Sequence, residues 1–264
     1  MNRITVRSAA TGLLAVLLIA SALMILFGRW GNMYFYGATL TALLLGIVQL
    51  DAWRAAYGWL RSLGAYVTIF ALATIAIGAS MYLGWPLGRF QFTGLLGWEL
   101  LGLVPWTVPV VWSFILAVSL ALTRPMSLPA GARERYAEIF SWSFDAALFA
   151  TLLDAVIEPV ATRAGLKIYA QQVGFQGVPF QHFLGWFVTS FLLAAVVLAW
   201  TGALPLKAEV ARHLSVSAAL LILFWIALSI TSAIPLATAL GVVLILMIAW
   251  KQRRIERDVT RVQV

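Results

Sequence analysis

The sequence predicts an all-α membrane protein: a polytopic bundle of about eight transmembrane helices with both termini in the cytoplasm. Three observations carry that reading. Hydrophobic residues make up 62% of the 264-residue chain and charged residues 11%, with a mean hydropathy of +0.95, whereas a soluble domain carries about 25% charged residues. Apolar runs recur at lengths near the roughly 20 residues that cross a hydrocarbon layer. The cations gather in the short connections between those runs, as the positive-inside rule requires. Topology therefore accounts for the net charge of +8, and no nucleic-acid partner is invoked.

The first run, Ala9 to Phe27, follows a basic start and is weighed against a signal peptide. It exceeds the typical h-region of about 7–15 residues and reads as a retained helix. Further helices are expected near 33–50, 63–85, 94–122, 139–157, 180–203, 214–232 and 234–250. Only Ser-Ala-Ile-Pro divides the last two, with Pro235 favouring a tight turn. About fourteen of the 18 Lys and Arg fall on the side of the termini, including Arg3, Arg7 and the basic tail. The other side holds Arg29, Arg89, Arg163 and Lys167. That asymmetry supports an even number of spans. The polar loop at 123–138, with its two prolines, reads as a cytoplasmic hinge between two four-helix halves of one integral membrane domain, 1–264.

The chain has no cysteine, which removes disulfides, thiolate catalysis, Cys-ligated zinc and iron–sulfur clusters. Two histidines are too few for a multi-His di-iron site. His182 starts the sixth helix and His213 precedes the seventh, about a membrane thickness apart, so they cannot share a metal.

The polar residues instead converge on the cation-poor side. An ionisable group at membrane depth is paired, neutral or facing a cavity, and is a functional candidate by default. Asp154 and Glu158 are four apart near the end of the fifth helix, which puts both on one face if the helix survives Pro159. Asp145 points roughly the opposite way. Arg89, Arg163 and Lys167 are the cations available to pair these acids. Glu99 is expected about one and a half turns inside the fourth helix, beside kinks at Pro105 and Pro109. Trp85, Trp98, Trp106, Trp112 and Trp186 line the same half.

Four stretches in order, "GWPLGRFQF", "GLVPWTVPVVW", "DAVIEPVA" and "GFQGVPFQHFLGWF", resemble the carotenoid biosynthesis membrane proteins, the family that includes bisanhydrobacterioruberin hydratase. The resemblance covers about residues 65–195. Family positions carry over to Gly84, Pro86, Gly88, Arg89, Phe90, Pro105, Pro109, Trp112, Asp154, Pro159, Gly177, Pro179, Gly185 and Trp186. Glu158 stands where Asp is commoner in the family, and His182 where Asn is commoner. The acid usual before the Gly-Pro-Gly turn is missing from "TIAIGASMYLG".

The resemblance implies hydration of the terminal double bond of an acyclic carotenoid, in the cell (inner) membrane. Such a hydro-lyase needs an acid that holds its proton near pH 7, which burial in an apolar site achieves. Asp154 is the expected general acid, Glu99 or Glu158 orients water, and His182 assists as a proton relay. Arg89, Phe90, Trp85, Trp106, Trp112 and Trp186 are the expected substrate-binding residues. No metal, nucleotide or redox cofactor is required. The expected partners are an acyclic carotenoid or related isoprenoid, membrane lipids and other carotenoid enzymes. The alternatives are a lipid or isoprenoid transporter and a non-catalytic assembly subunit of a pigment pathway.

Overall fold

A computed structural model of the chain describes residues 5–27, 34–125 and 131–262. Arg3, Arg29 and Pro129 of the 123–138 hinge lie outside the described residues. Eight helices are present among the described residues: α1 (Val6–Leu26), α2 (Tyr34–Tyr57), α3 (Trp59–Leu83), α4 (Thr107–Leu122), α5 (Ala132–Arg163), α6 (Phe180–Thr201), α7 (Ala208–Thr231) and α8 (Pro235–Val262). All but α4 and α5 are long and apolar enough to cross a membrane. The expected division of the last two helices holds: α7 ends at Thr231, and Pro235, which can occupy the first turn of a helix without losing a bond, opens α8.

The fourth helix is shorter than expected. Residues 94–106 form no helix, because Gly94, Gly97 and Gly102 adopt left-handed backbone angles with φ of 76°, 105° and 68°, a region glycine enters without steric cost. Two short strands replace the first turns: β2 (Glu99–Leu100) pairs antiparallel with β3 (Val104–Pro105). Pro105 therefore lies on a strand. Pro109 sits in the first turn of α4, where an N–H has no intrahelical acceptor, so neither proline interrupts a helix. The remaining 16 residues of α4 span about 24 Å. The helix is apolar and buried along nearly its whole length, with α2, α3, α5 and α7 packed around it.

The fifth helix is longer than expected, running through Pro159 to Arg163. Pro159 lacks the N–H that would reach the Ala155 carbonyl, a local cost that the helix absorbs. Asp154 and Glu158 thus share a face with Ile157 and Ala161, the i, i+3, i+4, i+7 pattern of one helical stripe. Asp145 is exposed, away from that face.

Two long connections meet beyond the ends of α3 and α5. Strand β1 (Phe90–Phe92) pairs antiparallel with β4 (Lys167–Tyr169), Phe90 opposite Tyr169 and Phe92 opposite Lys167. Thr93 extends the pairing with bonds to the Gly165 and Leu166 carbonyls. The α3 terminus is held in place as well. Gly84 takes the left-handed C-cap at φ 75°, Ser80 Oγ accepts from the Leu87 N–H at 2.9 Å, and Gln181 on α6 donates to the Gly84 carbonyl at 2.7 Å. Gly185 completes the junction, since a Cβ there would collide with the Pro86 carbonyl oxygen. The connections that follow α3 and α5 are therefore joined through backbone pairing between residues 73 or more apart in sequence.

Candidate active site

Five polar side chains form one buried chain where α5, α6 and β4 meet. Asp154 is 2% exposed, His182 0%, Lys167 5% and Glu158 7%. His182 Nε2 lies 2.8 Å from Asp154 Oδ2. Its Nδ1 lies 2.8 Å from the Tyr169 hydroxyl. That hydroxyl donates to Glu158 Oε1 at 2.6 Å, and Lys167 Nζ reaches the same oxygen at 2.6 Å. Of the three cations that could pair the acids, Lys167 does so. Arg89 is exposed and donates to the Tyr82 carbonyl at 2.7 Å, satisfying an open end of α3.

Strand register puts Lys167 and Tyr169 in this chain. Residues two apart on a strand share a face, so both side chains turn inward while Ile168 between them is 51% exposed. Phe90 and Phe92 face the same way from β1. The Lys167 ammonium sits 3.6 Å from the Phe90 ring centre, 4.8 Å from that of Tyr169 and 5.8 Å from that of Phe92. Cation–π attraction and the Glu158 carboxylate together replace the water that the ammonium loses on burial.

A cavity of about 140 Å³ opens beside the chain. Asp154, Glu158, Lys167 and His182 line it together with Tyr34, and most of the rest is apolar or aromatic, including Phe90, Phe92, Trp112 and Trp186. Trp112 and Trp186 stack face to face, 3.8 Å between ring centres at 7°, and Trp112 Nε1 is anchored on Ser190 Oγ at 3.0 Å. An apolar cavity of roughly 150 Å³ holds a benzene-sized group, so this one fits the end of a chain molecule and not a whole polyene.

The sequence-predicted residues divide cleanly. Asp154, Glu158 and His182 meet in the polar chain, and Phe90, Trp112 and Trp186 line the cavity. Glu99 does not: it is exposed on the β2–β3 hairpin, because the glycines that bracket it end any helical path into the bundle. Trp85 is 68% exposed. Neither Trp106, at the N-cap of α4, nor Arg89 lines the cavity. Lys167 and Tyr169 were missed as site residues. The alternation of Lys167, Ile168 and Tyr169 is a period-2 signal, but it is too short to read without its partner strand.

Asp154, Glu158 and His182 offer donor atoms within 4.8 Å of one another, close enough to surround a metal ion. The Lys167 ammonium, bonded to Glu158 Oε1 at 2.6 Å, places a positive charge beside that donor set.

Bisanhydrobacterioruberin hydratase of Haloarcula japonica is 28% identical to this chain over 195 residues, covering 72% of this chain and 58% of that protein. This chain thus spans less than two thirds of that relative's length. No solved structure matches it. From residue 36 to residue 248 the sequence matches the carotenoid biosynthesis protein family, and with its six membrane-length helices the chain belongs to that family as a multi-pass membrane protein.

Proposed function

We propose that the protein hydrates the terminal double bond of an acyclic carotenoid, with the end group seated in the aromatic cavity. The observation that carries this reading is the Asp154–His182 pair, buried and bonded at 2.8 Å, on the wall of a cavity that fits one isoprenoid terminus. The alkene end is trisubstituted. Asp154 gives its proton to the carbon that bears hydrogen, and the positive charge develops on the carbon that bears two methyl groups. The Asp154 carboxylate left behind and the faces of Trp112 and Trp186 stabilise that charge. Water attacks the cation and forms the C–O bond. His182 Nε2 takes the proton that the water loses and returns it to Asp154. The sum is alkene plus water giving a tertiary alcohol, with the acid restored.

In this reading the protein lies in the cell (inner) membrane, its termini cytoplasmic by the charge asymmetry, and the site is in the outer half. The end group stands near the interface, where water is available, and the polyene runs along the helices. The deciding experiment is pigment analysis of cells that make lycopene and express this chain. We expect new carotenoids heavier by one or two waters. Unchanged pigments across several acyclic carotenoids, with the protein present in the membrane, would sink the hydratase reading.

A further inference from the structure

The hydrogen bonds around His182 constrain where the protons sit. Lys167 Nζ is 2.6 Å from Glu158 Oε1, which makes that oxygen an acceptor. The Tyr169 hydroxyl donates to the same oxygen at 2.6 Å. A phenol has one hydrogen, so at 2.8 Å from His182 Nδ1 the Tyr169 oxygen can only accept. Burial, and after it the Glu158 carboxylate, push the Tyr169 phenol far above the ordinary tyrosine range, so that hydrogen stays in place. His182 therefore carries a hydrogen on Nδ1. In a neutral imidazole the other nitrogen is then bare. The 2.8 Å contact between Nε2 and Asp154 Oδ2 must in that state be bridged by a hydrogen from the carboxyl.

We propose that Lys167 and Tyr169 are positioning residues: through Glu158 they fix the Nδ1–H form of His182, so that Nε2 and Asp154 share the proton that moves. The chemistry of that proton rests on the hydration reading above. In the resting site Asp154 holds it. Once Asp154 has protonated the alkene, Nε2 is bare and accepts the proton released by water. His182 is then an imidazolium, its Nδ1–H still bonded to Tyr169 beside the Glu158 carboxylate, and it hands the Nε2 proton back to Asp154. The opposite tautomer would present an N–H to the water and could not take its proton. The β1–β4 register sets both residues: Phe90 opposite Tyr169 and Phe92 opposite Lys167 hold the ammonium and the phenol on the inner face.

The test reads the tautomer directly. The chain has two histidines, so full-length protein labelled with [15N]histidine and carrying His213→Gln leaves one imidazole. Long-range 1H–15N spectra in nanodiscs at neutral pH distinguish Nδ1 from Nε2. We expect a hydrogen on Nδ1 of His182 and none on Nε2; a bare Nδ1, or hydrogen on both nitrogens, overturns the proposal. In Tyr169→Phe, which keeps the ring against Phe90, we expect the hydrogen to move to Nε2, and an unchanged pattern overturns it. Should that variant fail to fold, the unsubstituted tyrosine protein's Nδ1 signal decides alone. For hydration we expect Tyr169→Phe to lower kcat by about 10²-fold, the low end of what a placed acid or base contributes, with KM little changed. The spectra need no turnover. A protonated Nδ1 without hydration retains the proton arrangement and removes the reaction; hydration with a bare Nδ1 does the reverse.

Discussion

His182 Nε2 and Asp154 Oδ2 meet at 2.8 Å across the α5–α6 interface, between residues 28 apart in sequence. Both are almost fully buried, and both line the cavity. A carboxyl and an imidazole in that relation can exchange a proton without solvent, which is what alkene hydration in an apolar site demands.

Asp154→Asn keeps the shape of the carboxyl and removes its acidity. We expect hydration to fall by about 10²–10⁴-fold, the usual contribution of a positioned general acid, while the protein still inserts. Pigment extracts compared at equal membrane abundance check this. Full activity of the variant would remove Asp154 from the acid role.

Lys167→Met should be strongly destabilising. It leaves the Glu158 carboxylate buried without its cation, and breaking a buried pair from one side costs about 3–5 kcal/mol. Adding Glu158→Gln removes the stranded charge and should restore much of the loss. Thermal unfolding in detergent compares the two variants. Equal midpoints for the single and double variants would mean that the ion pair does not hold this junction.

Gly185→Ala tests the α6 junction. The new methyl would collide with the Pro86 carbonyl oxygen, which is backbone and cannot step aside alone. We expect a loss of about 1–3 kcal/mol, the cost of overpacking, together with reduced hydration as His182 and Trp186 shift on the same helix. A variant with unchanged melting and activity would show that the turn at Pro86 can move freely.

Glu99→Gln should change little. Its carboxylate is exposed on the hairpin, where substitutions shift stability by no more than about 0.5 kcal/mol, and we expect hydration to be retained. A large loss of activity with normal folding would bring Glu99 back to the reacting end group.

The sequence by itself determined the membrane-spanning class and the number of helices. Those features follow from the length of apolar runs and the spacing of cations, both local and one-dimensional. It also placed Asp154 and Glu158 on one face on the condition that the helix continues past Pro159, since four residues make about one turn, and α5 meets that condition by running to Arg163. Glu99 misled because an apolar run containing Gly94, Gly97 and Gly102 reads as helix by hydropathy, while its backbone follows the glycines. Only the tertiary structure decided the partners. His182 meets Asp154 because α5 and α6 pack side by side. Lys167 and Tyr169 turn inward because β4 pairs with β1 in one register, and a slip of one residue would send both outward. Pairings between distant connections leave no periodicity in the sequence, so the proton chain becomes legible only when the strands are in place.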